Sequence, residues 1–296
     1  MRSCRFVTVD VFTDRRFGGN QLAVFPDARG IGDAEMQALA AEFNLSETTF
    51  VLPPEDPANS ARVRIFNRVA EMPFAGHPSV GTAWVLAQSG LGADGRLRLE
   101  QIAGIVEVEL WRDAAGQVTG AAIGAPQPLC IGAELPAEAV AACAGLAPGD
   151  IVTARHVPTL AADGGNPRVL VEVTEAALAA ARPELGAFRR TVAAHPGLGG
   201  RLSLYLYRRD GAGVRARMFS PLTGTWEDPA TGSAATPLAG FLLHLSGAES
   251  ARLDITQGVE MGRPSLLRTT ARRTPSGIRA TVGGGCVPVL RGEALL

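Results

Sequence analysis

The chain contains no lysine; all 28 of its basic residues are arginine. That single absence excludes pyridoxal enzymes, Schiff-base aldolases and Walker A phosphate loops, because each needs a lysine amine and arginine stays protonated. Cysteine is scarce as well. Cys4, Cys130, Cys143 and Cys286 are scattered without paired spacing, so they read as free thiols of a reducing compartment. The four histidines, His77, His156, His195 and His244, show no ligand spacing, and no metal is expected. No apolar run approaches the roughly 18 residues that span a bilayer. The opening Met1-Arg2-Ser3-Cys4-Arg5-Phe6-Val7 alternates like a strand and has no apolar leader core, which makes the cytoplasm the expected location. A net charge of -1 provides no field for a phosphate backbone, so nucleic acid is not an expected partner.

What is present suits a soluble protein of two domains: 296 residues, 46% hydrophobic and 19% charged. β-Branched and apolar runs predict strands at 5–12, 22–26, 48–52 and 61–66, and three more between 96 and 123. A helix is predicted after Asp33 as N-cap. A second is predicted with His77 as N-cap, Pro78 in the first helical position and Gly90 as the stop. Ala125-Pro126-Gln127-Pro128 reads as a linker, followed by a helix around 136–145 and strands at 168–173, 202–207 and 213–219. A further helix is expected to begin at Asp228-Pro229, with strands at 251–256, 266–271, 277–282 and 286–290 closing the chain.

The two halves repeat a pattern. Arg64-Ile65-Phe66 precedes His77-Pro78-Ser79-Val80-Gly81, and Arg217-Met218-Phe219 precedes Asp228-Pro229-Ala230-Thr231-Gly232. Each is a strand ending in Arg-x-Phe, a loop of about ten residues, and a Pro-containing helix start, which points to duplication. Two α+β halves related by a pseudo-twofold are expected, with both helix N-termini facing a shared cleft. Unpaired N–H groups at such starts suit a carboxylate, and glycines at 76, 81 and 232 allow close approach of a ligand. Taken singly, each start is explicable as an ordinary capped helix; the pair favours a ligand site. Glu47, at the mouth of an apolar strand, is not selected by physical reasoning alone.

Four segments, Gly19-Asn20-Gln21-Leu22-Ala23-Val24-Phe25, Asn44-Leu45-Ser46-Glu47-Thr48-Thr49-Phe50-Val51, Ala75-Gly76-His77-Pro78-Ser79-Val80-Gly81 and Glu227-Asp228-Pro229-Ala230-Thr231-Gly232-Ser233-Ala234, resemble the signatures of the PhzF family of phenazine biosynthesis. Gln257-Gly258-Val259-Glu260-Met261-Gly262-Arg263-Pro264-Ser265 is a further match, and together they cover nearly the whole chain in order. The resemblance implies a diaminopimelate-epimerase-like α+β fold, each half a curved, mostly antiparallel sheet wrapped around a central helix. The expected division is 1–124 and 125–284, with the last strand, 285–296, returning to the first half. It also implies a cofactor-independent isomerase acting on a small carboxylate-bearing substrate, and a homodimer. The family pattern makes Glu47, His77 and Asp228 catalytic, with Glu47 carrying the proton. Asn20, Gly76, Thr231, Gly232 and Ser233 are expected to bind substrate. Moving a proton between carbons needs one group that takes it and returns it, which a carboxyl can do.

The chain departs from the family pattern at Asn67-Arg68 (commonly Thr-Pro), at Ser79 (commonly Thr) and at Pro237, which is expected to kink the second central helix. Three rival readings follow from the residues. An epimerase or racemase on the same fold would use a thiol at each helix start, and the cysteines lie elsewhere. A binding protein that lost catalysis would not need Glu47, His77 and Asp228 together. A nucleotide-dependent oxidoreductase is suggested only by Gly30-Ile31-Gly32, which lacks a third glycine and an acidic partner.

Overall fold

The computed structural model describes residues 2–296 and divides into two units: Met1–Gly124 with Val282–Leu296, and Ala125–Thr281. In chain order the first unit contains β1 (Ser3–Val11), β2 (Asn20–Phe25), α1 (Asp33–Phe43), β3 (Glu47–Leu52), β4 (Ala61–Phe66), β5 (Glu71–Met72), α2 (Gly76–Gln88), β6 (Arg96–Gln101), β7 (Gly104–Arg112) and β8 (Val118–Gly124). The second contains β9 (Cys130–Glu134), α3 (Ala137–Cys143), β10 (Thr159–Ala162), β11 (Arg168–Glu172), α4 (Glu175–Ala180), α5 (Leu185–Ala194), β12 (Leu204–Asp210), β13 (Gly213–Ser220), β14 (Thr225–Asp228), α6 (Gly232–Ser246), β15 (Ser250–Gln257) and β16 (Ser265–Thr274). The last strand, β17 (Gly277–Leu295), starts in the second unit and continues into the first, where it pairs antiparallel with β1 from Ser3↔Leu295 to Val11↔Cys286.

The duplication is visible in the ladders. In the first unit β1 pairs antiparallel with β2, β2 parallel with β3, β3 antiparallel with β4, β4 parallel with β6, and β6 antiparallel with β7. In the second, β10 to β11, β12, β13, β15 and β16 repeats that sequence of antiparallel and parallel steps. The short strands β5 and β14 fold back antiparallel on β4 and β13 at equivalent places. Each parallel step needs a crossover, and helices supply it: α1, then α2, in one unit; α4 and α5, then α6, in the other.

The central helices α2 and α6 contain no Asp, Glu, Lys or Arg. Residues His77 to Leu86 of α2 are all buried, as is most of α6, which is the composition a helix surrounded by sheet requires. The other helices form separate cores. Phe25 stacks on Phe50 at 4.9 Å between ring centroids, and Phe6 meets Phe43 of α1 edge-on at 4.9 Å. In the second unit Val169 and Val171 of β11 and Leu204 and Leu206 of β12 pack with Phe188 and Leu178 from α5 and α4. β11 is buried at every position, and its centre, Val169-Leu170-Val171, is a continuous apolar run rather than an alternating one.

Four expectations are corrected. Gly32, not Asp33, is the N-cap of α1, and Asp33 is the first helical residue. His77 does not cap α2: Ala75 does, and Gly76 opens the helix, so Pro78 is its third residue, where a missing N–H still costs no helical bond. α6 does not begin at Asp228-Pro229 but at Gly232, because Asp228 ends β14 and Thr231 is the N-cap. The strands expected at 277–282 and 286–290 are one strand. The intervening glycines continue it: a Cβ at Gly283 would lie 2.6 Å from Ala122 Cβ, so glycine there permits close contact. α6 also runs through Pro237 as one helix.

The Arg-x-Phe repeat marks a joint. Arg64 Nε and Nη2 grip both carboxylate oxygens of Glu71 at 2.7 and 2.6 Å, and Arg217 Nε and Nη2 grip Glu227 at 2.8 and 2.9 Å. Each guanidinium lies over the ring two residues on, 5.1 Å from Phe66 and 4.9 Å from Phe219. The two differ in burial. Arg217 is 2% exposed, and its Nη1 also donates to the carbonyls of Leu178 and Ala181 at 2.8 and 3.0 Å. Arg64 Nη1 instead reaches the exposed Asp33 at 2.5 Å. Arg217→Leu is therefore expected to cost about 3–5 kcal/mol in a urea titration, since it strands a carboxylate and two carbonyls. Arg64→Leu is expected to cost about 1–2 kcal/mol. Equal losses would show that the extra carbonyl bonds contribute nothing.

Candidate active site

In the first unit the chain starts β2 at Asn20 and β3 at Glu47, and the parallel ladder places Leu22 opposite Glu47. Both strand starts thereby meet the first turn of α2. His77 Nε2 lies 3.5 Å from Glu47 Oε2, and Asn20 Nδ2 lies 3.5 Å from His77 Nδ1. Ser46 Oγ donates to Asn20 Oδ1 at 3.4 Å, so the Asn20 amide nitrogen faces the imidazole as a donor. Beside that donor His77 Nδ1 is the accepting nitrogen, and Nε2 is the nitrogen that faces Glu47. Asn20 and His77 are buried, and the Glu47 side chain is 16% exposed. These long contacts form an ordered set in which the Glu47 carboxylate has the His77 imidazole beside it and a partly open face.

The positions that depart from the family pattern are used locally. Ser79 Oγ donates to Ala75 O at 2.8 Å and accepts from Gln101 Nε2 at 2.8 Å, bracing the start of α2. Asn67 Oδ1 accepts from the backbone N–H groups of Val69 and Ala70 at 2.8 Å and closes the turn between β4 and β5.

In the second unit the chain between β14 and α6 is bound by Gln257, which is fully buried at the end of β15. Its Nε2 donates to Asp228 O at 2.7 Å and to Thr231 Oγ1 at 3.0 Å. Its Oε1 accepts from Thr231 N at 3.2 Å and from Tyr205 OH at 3.0 Å. Thr231 Oγ1 in turn donates a hydrogen bond to Asp228 Oδ2. The Thr231 hydroxyl is thus committed to fixing the Asp228 carboxylate. Gly232 and Ser233 follow as the first two residues of α6, where amides have no intrahelical acceptor. Ser233 Oγ accepts from Arg168 Nη2 at 3.3 Å.

Sequence reasoning quoted Gln257 only inside a motif, and it missed Arg168 and Asp163. Asp163 is 3% exposed in the loop before β11, beside the Thr236 hydroxyl, and its Oδ2 has no hydrogen-bond partner. Burial pushes its carboxyl up to about 7 from an ordinary 3.8. Folding therefore takes up a proton between those values, so this group's contribution to stability falls as pH rises from about 4 and is lost above about 7. Asp163→Asn removes the titration. Relative to wild type, the variant is expected to gain about 2–3 kcal/mol in denaturant titrations between about pH 5 and about pH 8. A difference that stays constant with pH would mean the carboxyl ionises alike in both states.

Comparison with known proteins bears on this arrangement. The family model described as phenazine biosynthesis-like protein matches residues 9–292. A trans-2,3-dihydro-3-hydroxyanthranilate isomerase of Pseudomonas aeruginosa is 37% identical over 296 residues, covering 99% of each chain. The crystal structure of a PhzF family protein of Bacillus anthracis superimposes with a TM-score of 0.89 at 23% identity, covering 100% of each chain. A hydroxyproline epimerase of Agrobacterium vitis shares the fold, with a TM-score of 0.64 at 14% identity, covering 100% of this chain and 93% of its own. The architecture is thus the epimerase-like α+β fold, the chain belongs to the phenazine biosynthesis-like (PhzF) family, and it is an isomerase.

Proposed function

We propose that the protein moves a proton between carbons of a small, carboxylate-bearing unsaturated substrate, with Glu47 as the acid/base and no cofactor. The observation that carries this reading is the set of Asn20, His77 and Glu47 at the start of α2, where a single carboxylate faces an imidazole nitrogen. The Glu47 carboxylate takes a proton from a substrate carbon, and the electron pair left behind shifts the double bond. The same carboxyl then returns the proton to another carbon of the system. Atoms and electrons balance with no oxidant, reductant or metal. His77 Nε2 lies beside the carboxylate at 3.5 Å, and in the second unit Asp228, fixed by Thr231 and Gln257, is the corresponding candidate polar group. Thiol-based two-base chemistry has no candidate here, because no cysteine lies in the first turn of α2 or α6. The substrate class is suggested by the named activity of the Pseudomonas aeruginosa relative.

Wild type and Glu47→Gln should be incubated with trans-2,3-dihydro-3-hydroxyanthranilate in deuterated water and followed by NMR. Wild type is expected to move the double bond and place deuterium on a ring carbon. The Gln variant is expected to be slower by about 10²-fold or more. Equal rates would remove Glu47 as the acid/base and leave His77 as the next candidate. Binding without turnover by wild type would replace the enzyme reading for this substrate with a binding one.

A further inference from the structure

The hydroxyl of Ser233 has its hydrogen-bonding role decided from another strand. Arg168 opens β11 and is 8% exposed. The loop that carries it approaches α6 closely enough that a Cβ at Gly165 would lie 2.9 Å from Ser233 Cβ. Arg168 Nη2 donates to Ser233 Oγ at 3.3 Å, and Nη1 donates to Ser203 Oγ at 3.0 Å. Behind Ser203 the hydroxyls continue in a line. Ser203 Oγ meets Ser220 Oγ at 2.8 Å, Ser220 Oγ meets Thr223 Oγ1 at 2.9 Å, and Thr223 Oγ1 donates to Ser220 O at 2.9 Å.

A guanidinium can only donate and a carbonyl can only accept. With those two ends fixed, every hydroxyl between them has one direction: Ser203 donates to Ser220, and Ser220 donates to Thr223. The line anchors the guanidinium and leaves no freedom at Nη1. The same rule applies on the other side. Because Arg168 fills an acceptor position of Ser233 Oγ, the single Ser233 proton points away from Arg168. The neighbouring positive charge makes that proton a stronger donor. Ser233 is thereby matched to an anionic oxygen and mismatched to an ammonium or another donor.

We propose that Arg168 is a positioning residue that fixes Ser233 as a hydrogen-bond donor to the substrate carboxylate, and so makes the protein selective for anionic substrates. This rests on the reading of the substrate as a small carboxylate. Arg168 acts through Ser233 and carries no part of the proton transfer.

Two ring compounds that differ only in the carboxylate separate this role from a structural one. They are 3-hydroxyanthranilate and 2-aminophenol, titrated calorimetrically into wild type, Arg168→Met, Ser233→Ala and the double variant. Wild type is expected to prefer the carboxylate. Arg168→Met and Ser233→Ala are each expected to reduce that preference about tenfold, leave 2-aminophenol binding unchanged, and lose no more when combined. Should Arg168→Met not fold, Ser203→Ala removes the anchor of Nη1 together with the Ser203–Ser220 hydrogen bond, and it is expected to reduce the same preference about threefold. Equal weakening of both ligands, an unchanged preference, or losses that multiply in the double variant would each overturn the role of Arg168. A wild type that does not distinguish the two ligands would overturn the carboxylate reading itself, and the role of Arg168 with it.

Discussion

Both units depend on the same constraint: a helix enclosed by sheet on its sides can carry no charge, yet its first turn must present polar amides to something. α2 and α6 meet the first requirement by composition, having no Asp, Glu, Lys or Arg over 13 and 15 residues. The second requirement confines chemistry to one end of each helix, because only there does the enclosing sheet open and leave N–H groups without intrahelical acceptors. Every candidate residue except Arg168 and Asp163 lies in or immediately against one of those first turns. Those two come from the loop and strand that the second unit folds across the start of α6.

The duplicated chain has kept the joint and changed what the joint carries. Arg64 with Glu71 and Arg217 with Glu227 are the same bidentate pair over the same phenylalanine position, placed where β5 and β14 turn back toward the helices. The pair ties each short strand back onto the strand before it, just ahead of the central helix. Beyond it the units diverge. The first ends on an imidazole beside a carboxylate, with Asn20 facing its other nitrogen. The second ends on a carboxylate locked by Gln257 and Thr231, and on a serine turned outward by an arginine. One unit thus sets a carboxylate beside an imidazole, and the other holds its polar groups by hydrogen bonds. In both, a residue that only donates or is already saturated decides which way its neighbour's hydrogen bond runs.

Much of the fold was legible in the sequence because local patterns and tertiary environment agree. β4 was read at its observed bounds, 61–66, and the three strands from 96 to 123 follow plain alternation of buried and exposed positions. Several of the pieces that escaped notice have no such pattern: β9 is exposed throughout, β10 has four residues and α4 has six, too short for a period to register. α5 was missed although its ten residues bury Ala187, Phe188 and Thr191 on one face. The starts of α2 and α6 were misplaced by two to four residues because proline marks several early positions equally well. Hydrogen bonds from Gln257, distant in sequence, hold Asp228 and Thr231 outside the helix.

The sequence by itself determined which chemistries are closed to this protein, through the missing lysine, and which helices are buried, through their missing charges. It also carried the motifs that mark its family. It did not determine which polar residues meet. Asn20, Glu47 and His77 lie far apart in the chain, and only a parallel ladder between β2 and β3 brings two strand starts beneath one helix start. Arg168 and Ser233 are likewise 65 residues apart. Hydrogen bonds of about 3 Å are directional and local, so their partners are chosen by the packed backbone and not by order along the chain.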